Sequence, residues 1–194
     1  MINGELRCGV VGIGMMGKNH ARIYNQIEGV QLVAIADPDE RQGKTIATQY
    51  GCEFYADYRD MLANEMLQGV SVCTPTSLHY EISKEIIYNQ IGLMIEKPIC
   101  DNIEKAKLLI SNAKKNNVTL MVGHIERYNP AVIKLKEMIS QRILGELIAI
   151  QANRLGLSPP RIKDANVVID FAIHDIDICN YLFDDLPDKV CFNC

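Results

Sequence analysis

The sequence predicts an α/β fold, in which a doubly wound parallel sheet is followed by part of a second, smaller domain. Two observations predict it. Over residues 1–123, short β-branched runs alternate with segments of helical length, which is typical of parallel strands joined by right-handed helical crossovers. After Gly123 this alternation stops, and residues 124–194 are few for an independent core. We therefore expect the second domain to be incomplete.

Strands and helices are predicted to alternate through the first domain. The strands are Leu6–Val11, Gln31–Ala36, Gly69–Thr74, Gly92–Ile95 and Thr119–Val122. The helices are Lys18–Ile27, Glu40–Tyr50, Tyr58–Leu67, His79–Asn89 and Ile103–Asn116. In the last helix, apolar residues recur at three- and four-residue steps, which indicates an amphipathic helix that covers the sheet.

The second domain follows a less regular pattern. Its predicted elements are a helix over Asn129–Gln141, a strand over Leu147–Arg154, a loop over Gly156–Lys163, a helix over Asn166–Phe183 and the start of a strand over Lys189–Phe192. Pro130 favours the first of these helices, because proline is tolerated in the first turn of a helix.

The composition argues against several classes of protein. Basic residues number 20 and acidic residues 24, so the net charge of −4 provides no positive field for nucleic acid. No apolar run approaches the roughly 18–20 residues of a membrane span, and the first residues lack the features of a secretory signal. We expect a cytoplasmic protein whose partners are neither nucleic acid nor membrane.

The seven cysteines do not have the pattern of a disulfide framework. They are scattered and odd in number, and nothing in the sequence points to export. Cys191 and Cys194 form a C-x-x-C pair, but a zinc site normally needs a second pair of ligands, and none follows. We therefore expect no metal site.

A glycine-rich turn joins the first predicted strand to the first predicted helix. It consists of Gly12, Ile13, Gly14, Met15, Met16 and Gly17. In such a turn Gly12 allows the tight bend, Gly14 lets the backbone approach a pyrophosphate, and Gly17 permits close packing of the helix on the strand. Amides at the helix N-terminus then face the phosphate charge. The turn predicts a dinucleotide site; the alternative is a structural turn without a ligand.

A carboxylate follows this turn at the spacing expected of a ribose-binding residue. Asp37 lies 20 positions after Gly17, at the end of the second predicted strand, where it can bind both ribose hydroxyls. A 2′-phosphate would meet a like charge at this position, so Asp37 favours NAD. Arg41 is the opposing observation, because its guanidinium group could stack on adenine or tolerate NADP.

Polar residues also follow the third predicted strand. Thr74, Pro75 and Thr76 lie at its end, and His79 opens the next helix. In open α/β sheets, residues just beyond the carboxyl ends of strands line the ligand crevice. The alternative is that these residues only cap a helix.

The segment Glu96-Lys97-Pro98 ends the fourth predicted strand, at the same edge of the sheet as the glycine turn. Pro98 restricts Lys97 to an extended backbone. The shared edge favours a functional lysine; the alternative is a solvated charge.

The predicted helix over Asn166–Phe183 carries polar residues on an otherwise apolar segment. Asp170 and His174 are four residues apart, so on a helix they share one face. A neutral imidazole near a carboxylate is suited to accept a proton from an alcohol. The alternative is a solvated stripe in which the histidine has no catalytic role.

In their order and spacing, the glycine turn, Asp37, Glu96-Lys97-Pro98 and the Asp170–His174 helix resemble the glucose–fructose oxidoreductase/inositol dehydrogenase (Gfo/Idh/MocA) family. The resemblance covers the whole chain. It implies a Rossmann domain over residues 1–123 and, over 124–194, part of a substrate and oligomerisation domain with a mostly antiparallel sheet. Family members oxidise or reduce sugars and related alcohols with bound NAD or NADP. They are usually longer, so this chain lacks most of that sheet.

The resemblance also implies roles for individual residues. Lys97 contacts the nicotinamide ribose and the reacting hydroxyl, His174 is the general acid or base, and Asp170 positions the substrate or tunes the histidine. The residues implied to bind the cofactor are Gly12, Ile13, Gly14, Met15, Met16, Gly17, Asp37, Arg41, Thr74, Pro75, Thr76, His79, Glu96 and Lys97.

Two arginine-containing segments, residues 123–130 and 154–161, carry a narrower resemblance. They are similar to the branch of the family that oxidises the 3-hydroxyl of UDP-N-acetylglucosamine. The residues implied to bind substrate are Arg127, Tyr128, Asn129, Arg154 and Arg161. Guanidinium groups suit a diphosphate because they bind phosphate oxygens in a bidentate manner. The alternative is that these arginines pair with surface carboxylates.

The expected function is therefore that of an NAD(P)-dependent dehydrogenase, which moves a hydride between nicotinamide and a hydroxyl of a sugar or nucleotide sugar. Two alternatives stay open. One is a member of the same family that acts on inositol or a free sugar, and the other is an NAD-binding module without turnover. We expect a homo-oligomer for a full-length form.

Overall fold

The first part of the chain is organised by a six-stranded parallel sheet with the strand order β3-β2-β1-β4-β5-β6. The strands are β1 (Leu6–Val11), β2 (Val30–Ala36), β3 (Glu53–Tyr55), β4 (Gly69–Val72), β5 (Gly92–Ile95) and β6 (Leu120–Val122). The chain builds outward from β1 to β3 and then returns to the centre at β4. The strand order thus reverses between β1 and β4, where open α/β sheets bind ligands.

Five helices connect these strands. They are α1 (Met15–Tyr24), α2 (Glu40–Tyr50), α3 (Tyr58–Asn64), α4 (Thr76–Tyr88) and α5 (Ile103–Lys115). Local sequence fixes several helix ends. The Asp39 carboxylate accepts a hydrogen bond from the Gln42 N–H at the start of α2, and the Asn102 side chain accepts from two N–H groups at the start of α5.

Apolar side chains form a core on each face of the sheet. Neighbouring residues of β1 belong to opposite cores, as Val10 packs with Ile13 and Ile35, whereas Val11 packs with Val72 and other residues of the larger core. This alternation is the geometry expected of strands covered by helices on both faces.

The computed structural model describes residues 4–155 and 168–191. The chain divides into two compact units, with the boundary between Gly123 and His124. Across the described ranges no helix is both long enough and apolar enough to cross a membrane.

The predicted α/β fold with a doubly wound parallel sheet is confirmed, and β1, β5 and α2 have the predicted bounds. Strand β3 was not predicted, because it has three residues at the sheet edge, too few to show a period. Helices α1 and α4 begin three residues earlier than predicted, at Met15 and Thr76, because both start directly after the turn that ends a strand.

The second unit contains helices among its described residues. A 3-10 turn spans Ile125–Tyr128, α6 spans Pro130–Ser140, and a π-helical turn over Val168–Ala172 leads into α7 (Ile173–Phe183). Asn129 begins α6 by accepting a hydrogen bond from the Ala131 N–H at 3.0 Å. The predicted helix over Asn166–Phe183 is thus present from Val168 onward, and its first two residues lie outside the described residues.

The strand predicted over Leu147–Arg154 is wrong, because these residues are described and form no strand. A strand is stabilised by hydrogen bonds to a neighbouring strand, and no strand occurs among the described residues of the second unit. Residues 189–191, which belong to the strand predicted over Lys189–Phe192, are also described and form no strand. The described part of this unit therefore shows no antiparallel sheet. The loop predicted over Gly156–Lys163 lies outside the described residues.

Candidate active site

The glycine turn after β1 requires two of its glycines for steric reasons. Gly12 has φ +86°, and a Cβ there would lie 2.9 Å from the Cys73 carbonyl carbon and oxygen. A Cβ at Gly17 would overlap the carbonyl oxygen of Gly12. Both positions accept only glycine without rearrangement, because side chains would meet backbone atoms. The turn consequently packs α1 directly against the end of β1.

Gly14 has a different environment. No heavy atom lies within 4 Å of the position its Cβ would take, and the residue precedes α1 without a capping side chain. The space beside Gly14, at the N-terminus of α1, is therefore open, and the unpaired N–H groups of a helix N-terminus are the groups that bind phosphate. Met15, the first residue of α1, has its side chain 82% exposed. This part of the site fits the pyrophosphate of a dinucleotide.

Asp37 is fixed at the end of β2 by the glycine turn. Its Oδ2 accepts a hydrogen bond from the Ile13 N–H at 2.5 Å, and its Oδ1 accepts from the Asp39 N–H at 2.8 Å. The Gln42 side chain donates to the Ile13 carbonyl at 2.7 Å. The Ile13 backbone is thus hydrogen-bonded through both its N–H and its carbonyl, while its side chain is fully buried in the core. Each carboxylate oxygen keeps a lone pair for a ribose hydroxyl.

A cleft of about 610 Å³ lies along the carboxyl ends of β1, β2 and β4. Its walls include Gly12, Gly14, Asp37, Thr74 and Pro75, so it brings together three of the segments singled out in the sequence. The Thr74 hydroxyl is buried and has no hydrogen-bond partner among the described residues. A cleft that combines an open helix N-terminus, a fixed carboxylate and a hydroxyl without a hydrogen-bond partner among the described residues fits NAD.

Arg41 does not line this cleft. It lines a separate depression of about 200 Å³ together with Lys18. Conversely, Tyr58 and Arg59 line the cleft and were missed by the sequence analysis. They begin α3 just after β3, so recognising that short strand would have identified them as strand-end residues.

His79 is buried, with 1% exposure. Its Nδ1 lies 2.9 Å from the Pro98 carbonyl oxygen, and its Nε2 lies 2.9 Å from the Thr74 carbonyl oxygen. A carbonyl oxygen only accepts, so each of these contacts is a hydrogen bond when the ring nitrogen that faces it carries the proton. His79 lies between the residues after β4 and those after β5 rather than on the cleft wall. The Lys97–Pro98 peptide bond is cis.

Glu96 is also buried, at 7% exposure, and its Oε1 lies 2.9 Å from His20 Nε2. Burial alone would raise the pKa of this carboxyl. The hydrogen bond and attraction of His20, followed by the N–H and charge of Lys97, outweigh burial and hold the pKa below its ordinary value. The Lys97 side chain is partly exposed at the end of β5, and its N–H donates to Glu96 Oε2 at 3.3 Å.

In the second unit, Arg127 binds a carboxylate of the same unit. It forms a bidentate pair with Asp177, with Nε to Oδ2 at 2.8 Å and Nη2 to Oδ1 at 2.6 Å. The Asp177 side chain is only 10% exposed, and the guanidinium group also lies over the Tyr181 ring. His124 Nδ1 lies 3.5 Å from Asp177 Oδ1. Pairing with a carboxylate, the alternative to substrate binding for this arginine, is therefore present.

Arg154 is paired in the same way with Asp175, at 2.9–3.2 Å. The hydrogen bond from Arg154 is the main cause that lowers the pKa of Asp175. Tyr128 is 73% exposed, and Asn129 caps α6. Arg161 lies outside the described residues.

The predicted acid–base pair lies at the start of α7. His174 is the second residue of α7 and is partly buried. The backbone of Asp170 belongs to the π-helical turn before α7, and its side chain lies outside the described part of the structure. Lys97 belongs to the first unit and His174 to the second. Their joint role in chemistry stays a prediction.

Comparison with known proteins supports the same interpretation of the first unit. The sequence model of an oxidoreductase family with an NAD-binding Rossmann fold, Gfo/Idh/MocA, matches residues 6–124. This match confirms the expected resemblance, the Rossmann-type sheet and NAD as the cofactor type.

Two curated relatives extend the similarity over the chain. A UDP-N-acetylglucosamine 3-dehydrogenase of Acidithiobacillus ferrooxidans is 31% identical over 174 residues, covering 90% of this chain and 53% of that protein. An inositol 2-dehydrogenase of Rubrobacter xylanophilus is 28% identical over 189 residues, covering 96% of this chain and 54% of that protein. The chain thus spans about half the length of the curated relatives it matches.

Two solved structures are similar in fold. The UDP-N-acetylglucosamine 3-dehydrogenase of Acidithiobacillus ferrooxidans superimposes with a TM-score of 0.85 at 31% identity, covering 95% of this chain and 58% of that one. GenD2 from gentamicin A biosynthesis, in complex with NAD, has a TM-score of 0.81 at 25% identity, covering 92% and 53% of the two chains.

Proposed function

Because this chain belongs to the Gfo/Idh/MocA family of NAD-binding oxidoreductases, we propose that it acts as an NAD-dependent dehydrogenase on a hydroxyl group of a sugar or nucleotide sugar. One observation carries the proposal. The Asp37 carboxylate is hydrogen-bonded to the glycine turn and lines the same cleft as Gly12, Gly14 and Thr74. This combination supports a cofactor with a pyrophosphate and an unmodified adenosine ribose.

Different residues of the cleft bind different parts of the cofactor. The first-turn amides of α1, left open at Gly14, bind the pyrophosphate, and Asp37 binds the ribose hydroxyls. A 2′-phosphate would lie beside the Asp37 carboxylate, which repels it. Arg41, the residue that could neutralise such a phosphate, faces a separate depression. The site therefore prefers NAD to NADP.

The proposed reaction converts a carbinol to a carbonyl. NAD, when bound, supplies the acceptor for the hydride that leaves the carbinol carbon. His174 takes the hydroxyl proton, with Asp170 on the same helix positioning the substrate or the imidazole. Lys97 donates hydrogen bonds to the nicotinamide ribose and to the reacting oxygen, where it stabilises developing negative charge. The reverse reaction uses the same groups in the opposite direction.

UDP-N-acetylglucosamine, oxidised at its 3-hydroxyl, is the first candidate substrate. The A. ferrooxidans relative named for that activity is 31% identical over 90% of this chain. For Arg127 and Arg154 to bind its diphosphate, each must exchange or share its present carboxylate, Asp177 or Asp175. That exchange costs part of the binding energy, because bidentate Arg–carboxylate pairs are already satisfied.

Inositol or a free sugar is the second candidate. The observation in its favour is the same pair of arginine–carboxylate contacts, since an uncharged polyol needs no free guanidinium group. The R. xylanophilus relative is named for activity on inositol.

The third possibility is an NAD-binding module without turnover. We also propose that a full-length form is a homo-oligomer, and sedimentation would measure its mass in solution.

Turnover assays test these candidates. The 194-residue chain is incubated with NAD and either UDP-N-acetylglucosamine or myo-inositol, and reduced nicotinamide is followed by absorbance. We expect reduction with the nucleotide sugar and a loss of about 10²–10⁴-fold in His174→Ala, at unchanged NADH affinity. Reduction with myo-inositol alone would favour the second candidate. NADH binding without turnover of either substrate would favour the third possibility, an NAD-binding module.

A further inference from the structure

A continuous series of buried polar groups runs behind the candidate site in the first unit. The Tyr24 hydroxyl lies 2.6 Å from the Ser71 hydroxyl, which lies 3.0 Å from His20 Nδ1. His20 Nε2 then lies 2.9 Å from Glu96 Oε1, and Glu96 Oε2 accepts from the Lys97 N–H. Ser71 is fully buried, and the His20 and Glu96 side chains are 10% and 8% exposed.

The carboxylate sets the direction of the hydrogen bond that it receives. An ionised Glu96 only accepts, so His20 donates from Nε2 whether or not Nδ1 also carries a proton. Where Nδ1 carries no proton, it accepts from the Ser71 hydroxyl, and the Ser71 oxygen accepts from Tyr24. Burial is the largest cause that raises the pKa of Tyr24, which keeps this phenol protonated. The contacts from Tyr24 to Glu96 therefore form a connected series that ends on the carboxylate.

The carboxylate is the charged end of the series. Among residues 4–155 and 168–191, the titratable groups that face Glu96 are His20 from α1, Lys97 next to it in the chain, and Cys73 at the end of β4. Burial, followed by the charge of Glu96, raises the pKa of the Cys73 thiol, so the thiol stays neutral. On the remaining side, Gly123 comes close to Glu96, since a Cβ there would lie 3.4 Å from Oε1. The anion is thus held between His20 and Lys97.

We propose that His20 is a positioning residue of this dehydrogenase, which keeps Glu96 as a buried anion that fixes Lys97 at the nicotinamide end of the cofactor. This inference rests on the proposed function, in which Lys97 contacts the nicotinamide ribose. His20 does not line the cleft that we assign to the cofactor. Without its hydrogen bond, burial dominates at Glu96, the carboxyl takes up a proton, and the Lys97 N–H loses its charged acceptor.

The affinities for NADH and ADP separate this role from simple stability. ADP stops at the pyrophosphate, so it reports on the glycine turn and Asp37, whereas NADH also reaches Lys97. Calorimetric titration of the 194-residue chain gives the ratio of the two affinities for the wild type, His20→Leu, His20→Gln and Glu96→Gln. Gln at position 20 is the conservative variant, because its amide can still donate to Glu96.

We expect His20→Leu and Glu96→Gln to lower the NADH-to-ADP affinity ratio by about tenfold, the loss of one charge-assisted hydrogen bond. His20→Gln should recover most of the ratio. Tyr24→Phe removes only the hydroxyl farthest from Glu96 in the series. It should change the NADH-to-ADP affinity ratio by less than threefold, which is about half of the tenfold loss when both are expressed as free energies. Binding of ADP at wild-type affinity shows in each case that the variant is folded.

The pH dependence is a readout that packing alone would not change. In the wild type the ratio should stay constant from about pH 8 to about pH 5, because Glu96 remains ionised. In His20→Leu it should fall as the pH is lowered through this range, because burial now raises the pKa of Glu96. Glu96→Gln should show a low ratio at every pH.

Two results would overturn the inference, and they differ in what else they overturn. If the wild type prefers NADH to ADP and His20→Leu keeps that preference at every pH, the positioning role alone is wrong. If the wild type binds NADH no more tightly than ADP, the proposed contact of Lys97 with the nicotinamide ribose is wrong, and the role of His20 is wrong with it.

Discussion

The Ile13 N–H donates a hydrogen bond to the Asp37 carboxylate at 2.5 Å, which ties the glycine turn after β1 to the end of β2. The two residues are 24 positions apart in the sequence. The bond orients the carboxylate that we propose distinguishes NAD from NADP, and its donor is a backbone N–H, which every residue except proline would supply at position 13. The proposed cofactor choice therefore depends on the geometry of the turn as well as on Asp37.

Removing the charge of Asp37 while keeping its shape tests this relationship. In Asp37→Asn the side-chain oxygen can still accept from Ile13, the bond from the Asp39 N–H is lost because an amide nitrogen only donates, and the repulsion of a 2′-phosphate is removed. We expect the preference for NADH over NADPH to narrow by about tenfold, and the free energy of unfolding to fall by about 1 kcal/mol for the lost hydrogen bond. Calorimetric titration with both cofactors measures the ratio. An unchanged ratio would mean that another group sets cofactor choice.

Alanine at two glycines of the same turn should have different effects, on stability at position 17 and on NADH affinity at position 14. A Cβ in Gly17→Ala overlaps the Gly12 carbonyl oxygen, so we expect the free energy of unfolding in urea to fall by about 2–3 kcal/mol. In the matched variant Gly14→Ala the Cβ meets open space. Its stability should change by less than about 1 kcal/mol, whereas NADH affinity should fall by about tenfold or more.

If Gly14→Ala kept wild-type NADH affinity, the space at Gly14 would not be where the pyrophosphate binds. If Gly17→Ala were as stable as the wild type, the helix would be able to move away from β1, and the turn would not be sterically fixed.

Acid should destabilise the first unit through Glu96. Its folded-state pKa lies below the ordinary value, so ionised Glu96 stabilises the native state above the unfolded pKa of about 4.3. That stabilisation is lost as the pH falls through the lower folded-state pKa. Between about pH 5 and pH 3 the wild type should lose more unfolding free energy than Glu96→Gln.

Glu40→Gln is the control for this pH effect. Glu40 also pairs with a cation, Lys44, but both side chains are more than 60% exposed. Water screens such a pair, so this variant should follow the wild-type pH dependence closely. Parallel curves for the wild type and Glu96→Gln would contradict a buried, ionised Glu96.

The two arginine–carboxylate pairs of the second unit should differ in their contribution to stability. Arg127→Ala leaves the buried Asp177 without its partner, and we expect a loss of about 2 kcal/mol, reduced from the value for a fully buried pair because Arg127 is 43% exposed. Arg154→Ala removes the pair with Asp175, whose side chain is 24% exposed against 10% for Asp177, and should cost less than about 1 kcal/mol because water can solvate the carboxylate left behind. Hydrogen exchange of the α7 amides measures both. Equal effects would contradict the difference in burial.

Local sequence determined much of the fold and part of the site. Helix α2 was predicted to the residue, because Asp39 caps its start and Gly51, in the left-handed conformation, ends it. The reasons for glycine at positions 12 and 17 also follow from the motif, since each has a local steric cause.

Other features depend on residues far apart in the sequence. Glu96 meets His20 from 76 positions away, and no local pattern encodes that contact. His79 is likewise explained by two backbone carbonyls from separate loops. The strand predicted over Leu147–Arg154 was wrong for a related reason, because an apolar run forms a strand only where a neighbouring strand can pair with it.

Titration of the 194-residue chain with NADH and, separately, with NADPH measures directly whether the cleft beside the glycine turn binds NAD. We expect saturable NADH binding and at least about tenfold weaker NADPH binding, because a 2′-phosphate would lie beside Asp37. Equal affinities would contradict the role given to Asp37. Binding of neither cofactor would contradict the assignment of the cleft between the glycine turn and Thr74 as the NAD site.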